Sequence, residues 1–112
     1  MKNIIEKSRE LTNQELYLLT MSPKADSVKN HVGERFDVAA WSLFEDKDKK
    51  TGEVHSVLSI LTTENEVLST ISPTFQEDFM DMAEIFCNDF AVEIISGKSK
   101  AGREFVTCAL AI

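Results

Sequence analysis

Ser72-Pro73-Thr74-Phe75-Gln76-Glu77-Asp78-Phe79-Met80-Asp81-Met82-Ala83-Glu84-Ile85-Phe86 is the stretch that decides the fold. Phe75, Phe79, Met82 and Phe86 recur at helical spacing and form one apolar stripe, with Asp81 and Glu84 on the wet side. Ser72 is a natural N-cap, and Pro73 stands at the first helical position, where its missing N–H costs nothing. Glu77 and Asp78 put carboxylates near the positive end of the helix dipole. The helix should fray near Asn88-Asp89. No other part of the chain has so clear a helical period, and most of what surrounds it alternates like strand.

After the helix, Phe90, Val92 and Ile94 alternate with Ala91, Glu93 and Ile95. Ser96-Gly97-Lys98-Ser99-Lys100-Ala101-Gly102 then makes a turn, its two glycines supplying positive φ. In the return arm, Glu104, Val106, Cys108, Leu110 and Ile112 alternate with Arg103, Phe105, Thr107, Ala109 and Ala111. The first set is the core face beyond Glu104, and the second carries Arg103 and Phe105 outwards. Before the helix come Val54–Thr62, a turn at Glu64-Asn65, and a short strand over Val67–Ile71. Arg35–Phe44 reads as a strand with Phe36, Val38, Ala40, Ser42 and Phe44 on one face and Asp37, Ala39, Trp41 and Leu43 on the other. Both faces are apolar towards the middle. Glu45–Gly52 is a charged hairpin loop.

Leu16 to Met21 alternates with a two-residue period and is expected to form the first strand, ended by Ser22-Pro23 because proline cannot continue an interior ladder. Ser27–Glu34 is a loop or short strand turning at Gly33, and residues 1–12 a loose or helical arm. The resulting order is three strands, a short strand, a helix and two strands. That order predicts an all-β fold with one helix: a five-stranded OB-fold-like barrel with the helix between its third and fourth strands. A twisted sheet packed on one helix would give a similar pattern; the barrel is the preferred reading.

Composition sets further limits. The chain has 112 residues, 43% of them hydrophobic, which suits a single domain over 1–112 with a continuous core. No apolar run nears the roughly 20 residues that span a bilayer. The N-terminus lacks the apolar core of a signal peptide, so a cytoplasmic protein is expected. Cys87 and Cys108 lie in apolar patterns and read as buried reduced thiols, with a disulfide as the lesser reading. The net charge of −7 argues against coating duplex DNA by charge alone. It leaves room for a single-strand binder that stacks bases on rings and confines its cations to one groove.

Three collinear pieces are similar to a known family. They are Val57-Leu58-Ser59-Ile60-Leu61-Thr62-Thr63-Glu64-Asn65-Glu66-Val67-Leu68-Ser69-Thr70-Ile71-Ser72 leading into the helix, the closing hairpin from Phe90 through Gly97 and Gly102 to Ile112, and Ser27-Val28-Lys29-Asn30 followed by Gly33. Together they resemble the single-stranded DNA-binding proteins of protein-primed Bacillus phages, over roughly residues 16 to 112. The arm and the 45–52 loop lie outside the likeness. The resemblance implies a replication protein that coats strands exposed by strand-displacement synthesis, in a family whose members are often acidic. A related binder from a plasmid or other mobile element would look the same.

The residues that would carry such binding are the rings of Tyr17, Trp41, Phe44 and Phe105 and the cations Lys29, Arg35, Lys98, Lys100 and Arg103. Single-strand binders stack bases on aromatic rings and follow the phosphates with cations. Lys98, Lys100 and Arg103 fall within six residues with no acid among them, and Phe105 projects on the side of Arg103. Core packing is the competing reading for each ring, and a solvated turn for the lysines. Phe75, Phe79, Phe86 and Phe90 read as core, and Phe36 is open to either reading. Glu77, Asp78, Asp81 and Glu84 read as a hydrated helix face that repels nucleic acid, and His31 and His55 as ordinary surface or edge histidines. Gly97-Lys98-Ser99-Lys100 lacks the spacing of a phosphate-binding loop. No enzymatic activity, cofactor or metal is expected. The partners expected are single-stranded DNA and replication proteins, with self-association open and no membrane. The alternative is a protein–protein interaction module, such as an acidic anti-host or DNA-mimicking factor.

Overall fold

In the computed structural model, residues 3–22, 24–47, 49–86, 90–98 and 100–111 are described. The expectations for Pro23, Cys87, Asn88, Asp89, Ser99 and Ile112 lie outside these residues. The strand-forming run after Gly33 becomes β3, Arg35–Lys47, on which the sheet is assembled. Across the charged loop, β4 (Val54–Thr62) pairs with it antiparallel from Val38 to Lys47. A turn with Asn65 at φ 66° returns the chain as β5 (Val67–Thr70) along β4. The other edge of β3 is shared. Its first residues, Arg35–Asp37, pair with β6 (Ala91–Lys98), which forms a hairpin with β7 (Glu104–Leu110). Its later residues pair with β1 (Asn3–Lys7). A two-residue β2 (Asp26–Ser27) adds parallel to β5.

The result is mostly β: a curled, open sheet in the order β2-β5-β4-β3-β6-β7, with β1 on β3. It has seven strands among the described residues where five were expected. β5 and β7 do not pair, so the curl stays a half-barrel. The gap is filled by α2 (Pro73–Phe86), which packs along β7. Gln76 Nε2 donates to the carbonyls of Ser56 (2.8 Å) and Thr70 (3.2 Å), pinning the helix to the far side of the curl. Ser72 accepts from Phe75 N–H through Oγ and from Gln76 N–H through its carbonyl, as an N-cap should. Glu77 and Asp78 fall beyond the first turn, and the Asp78 carboxylate accepts from the Thr107 hydroxyl of β7. Phe75 and Phe79 are fully buried with Trp41, Leu58, Ile60, Phe90, Val92 and Ile94 in the core. Phe86, expected on the buried stripe, is 43% exposed and stacks on Phe90.

Two expectations about the N-terminal third are corrected. The arm supplies β1, an added strand. Residues expected to form the first strand form a helix instead, α1 (Asn13–Met21), so the fold has two helices. The physical reason is a capping box: Thr12 Oγ accepts from Glu15 N–H (3.1 Å), and Glu15 Oε1 accepts from Thr12 N–H (2.9 Å). Arg9 binds the same carboxylate at 3.0 and 2.6 Å. Those hydrogen bonds, Arg9 first and Thr12 second, pull the Glu15 carboxyl down to about 2. Alternation in the Leu-rich run is overridden because α1 lies on the outer face of the sheet and buries Leu19 against Ala40, Leu61 and Val67.

A short 3-10 turn, Val28–His31, leads from β2 to β3. His31, expected as an ordinary surface histidine, is a clasp: Nδ1 lies 2.8 Å from Glu34 Oε2 and Nε2 2.9 Å from Asp26 Oδ2. Partial burial disfavours the imidazolium, but the two carboxylates outweigh it and raise its pKa above the ordinary 6.5. Asn30, His31 and the Ser27 N–H hold Asp26 below its ordinary 3.8. Cys108 is a free buried thiol, which burial first and Asp78 second push up to about 12.

Two tests follow from these contacts. Thr12→Ala should lower stability by about 1 kcal/mol, read as a shift in the urea midpoint with an unchanged slope. The His31 contribution is full below the unfolded histidine value of 6.5 and lost as pH rises through the higher folded value. The Asp26 contribution requires pH above its lowered folded value. The gap in urea midpoint between wild type and His31→Gln should therefore be widest between roughly pH 4 and 6.5 and narrow in alkali. A gap that does not change with pH would contradict the clasp.

Candidate nucleic-acid interface

After Glu93, β6 leaves β3, held by Gly33 N–H to the Ile94 carbonyl (2.7 Å) and Ile94 N–H to the Glu34 carbonyl (3.0 Å). From Ile95 to Lys98 it pairs with β7 alone, in register with Thr107 to Glu104. The end of the hairpin is thus a two-stranded ribbon that continues past the sheet. Lys98, Lys100 and Arg103 at its tip are exposed. Gly102 supplies the positive φ, +82°. Gly97 does not: its role is to have no side chain. The Phe105 ring lies over it, cross-strand, so closely that a Cβ at 97 would stand 2.8 Å from Phe105 Cζ. One side of the ring is therefore backed by glycine, and Phe105 stays partly exposed. Arg103 stands just before β7, two residues from Phe105 in the chain. Arg35 is exposed at the ribbon's root, opposite Glu93. The five steps from Glu93 to Lys98 put roughly 16 Å between root and tip.

The structure brings Lys98, Lys100, Arg103 and Phe105 together on one ribbon with Arg35 at its root, and leaves Tyr17, Lys29, Trp41 and Phe44 elsewhere. Trp41, expected to face outwards, is 5% exposed, with its ring edge-on to Phe79 at 6.0 Å. The cause is a β-bulge. Val38 lies opposite Thr62 and Ala40 opposite Leu61, so Ala39 is an extra residue. Past it the faces exchange, and Trp41 joins Val38 inside. Phe44, also expected outside, is 3% exposed on the other face, beside Leu19 of α1 and Ala25. Neither ring offers a face to a base. Tyr17 is 51% exposed on α1, and Lys29 is exposed on the 3-10 turn. Phe36 is half-buried against the core.

Glu104 stands across from Lys98 on the ribbon, and three further carboxylates border a groove on the other side of the fold's second helix. A groove of about 570 Å³ runs between β1 and α2, with Trp41, Leu43, Met80 and Ala83 as its floor and Glu6, Asp81 and Glu84 on its rim. Asp81 and Glu84 were expected on the wet side and are exposed. The groove itself was illegible without β1. On the α1 side, a cavity of about 310 Å³ is lined by Thr20, Phe44, Ser59, Ser69 and Ile71; the buried Ser59 Oγ has no hydrogen-bond partner. Among the described residues no three His, Cys, Asp or Glu side chains are grouped to hold a metal, and no helix is long and apolar enough to cross a membrane. No protein-family model, curated protein or solved structure matches the chain.

A methyl group at position 97 must push the Phe105 ring away. Gly97→Ala should shift the Phe105 ring resonances and cost about 1 kcal/mol, the low end of overpacking, because the ring's exposed end can yield. Unchanged Phe105 resonances would show that the ring does not lie on Gly97.

Proposed function

We propose that this protein binds single-stranded DNA without sequence preference and without catalysis, as a replication protein of a phage or other mobile element. The observation that carries the reading is the ribbon: a partly exposed Phe105 ring packed on Gly97, with Lys98, Lys100 and Arg103 exposed at the same end of the hairpin. A base can stack on Phe105 while the cations take the adjacent phosphates, which is the combination single-strand binders use. A net charge of −7 is compatible with this, because the cations of the tip stand apart from the acidic groove.

The topology supports the same reading. Strands β5-β4-β3-β6-β7, with α2 inserted between β5 and β6, follow the order of a five-stranded OB barrel left open where α2 enters. OB domains use the loops after their first and fourth strands to bind oligonucleotides. Here those would be the β3–β4 loop, with exposed Lys47, Lys49 and Lys50, and the β6–β7 turn with Lys98, Lys100 and Arg103. The likeness of residues 16 to 112 to the phage single-strand binders points the same way. In this reading α1 is an addition on the outer face of the sheet, and the buried rings of Trp41 and Phe44 are structural.

Poly(dT) should retard the protein in a gel at low salt, and the shift should weaken as salt rises. Phe105→Ala should lose about 1–3 kcal/mol of binding, roughly ten- to hundredfold, while keeping its urea midpoint close to that of wild type. Arg103→Ala should weaken binding and flatten the salt dependence. Absence of any shift at low salt would remove the proposal.

A further inference from the structure

The groove between β1 and α2 has no place in DNA binding, since its rim would repel phosphate. Its floor is apolar: Trp41 and Leu43 from β3, Met80 and Ala83 from α2. Ile5 adds to it. A second bulge makes Ile5 the extra residue of β1, since Ile4 lies opposite Phe44 and Glu6 opposite Leu43, and Ile5 is 45% exposed. One turn beyond Asp81, Ile85 is 75% exposed and carries the apolar surface past the rim. The rim is acidic. Glu6 stands on β1, and Asp81 and Glu84 stand three residues apart on α2, none of them in an ion pair among the described residues. Lys7, the cation beside them, is engaged with Glu10 at 3.5 Å. Among the described residues β1 pairs with β3 alone, so its outer edge is open.

We propose that this groove docks an extended segment of another protein in which lysine or arginine alternates with apolar side chains. Three observations select that occupant. The apolar floor rewards burial of side chains, as exposed apolar patches on binding surfaces do. The acidic rim favours cations and rejects acidic segments and nucleic acid. The open edge of β1 offers the backbone pairing by which extended peptides add to sheets, with alternate side chains directed to the floor and to the rim. The chain would then have two surfaces of opposite character, a cationic ribbon and an acidic groove. The second does not depend on the first being a DNA site.

A short peptide of alternating lysine and valine is the probe, with the same peptide carrying glutamate for lysine as its control. The lysine peptide should bind saturably, change Trp41 emission, and shift amide resonances of Ile5–Ser8 and Met80–Glu84. The double variant Asp81→Lys, Glu84→Lys should bind it roughly tenfold more weakly and still be retarded by poly(dT). Glu6→Lys on the other wall should weaken it as well, which supplies the test if the helix variant does not fold. Equal binding of both peptides, shifts outside the groove, or indifference to reversal of the rim would overturn the proposal. So would a dimer that buries the groove and dissociates on rim reversal, since the occupant would then be a second copy of this chain.

Discussion

Ala39 has no partner of its own on β4: Val38 faces Thr62, and the next residue of β4, Leu61, faces Ala40. That single unmatched residue exchanges the two faces of β3 partway along. Without it, Trp41 would point to the side of the sheet occupied by α1, and the core that holds Phe79, Ile60 and Phe90 would lack its largest ring. With it, Val38 and Trp41 enter one core, while Ala40 joins Leu19 of α1 in another. A bulge also bends its strand and increases local twist. Before Val38, where its pairing with β4 begins, β3 takes up β6 over Arg35–Asp37, and the sheet curls.

Covering β3 on both faces explains a sequence that looked too apolar for a half-exposed strand. α2 closes the inner face and the gap between β5 and β7, and α1 lies over the outer face. Aromatic surface is used for packing: Trp41 against Phe79, and Phe79 against Phe90 at 5.4 Å. Phe105 on β7 stays partly exposed and lies over Gly97, the residue across from it.

Charge is separated in the same way. Lys98, Lys100 and Arg103 stand exposed at the end of the β6–β7 hairpin. Glu6, Asp81 and Glu84 stand on β1 and α2, where they border an apolar trough. Separation on this scale matters more than the sum of −7, since at physiological salt exposed charges act over about 8 Å. A phosphate at the ribbon and a cation at the groove would each meet a local field of opposite sign.

Local chemistry written in adjacent residues was readable without coordinates. Ser72-Pro73 and the Phe75–Phe79 spacing located α2, the glycines and alternation located the β6–β7 hairpin, and the Lys98–Arg103 run marked the cationic tip. The Thr12-x-x-Glu15 capping box was equally readable as a helix start, and the leucine alternation after it masked that signal. Tertiary structure decided what depends on partners distant in sequence. The parity of β3 rests on one bulge opposite Thr62 and Leu61, so it set the fate of Trp41. Phe44 lies between β1 and β4 on the face that α1 covers, and lines a cavity with Leu19 and Thr20. The acidic groove exists because residues 3–7 pair with β3 across from α2. Periodicity reports which residues share a face of one element; it carries no record of which element will cover that face.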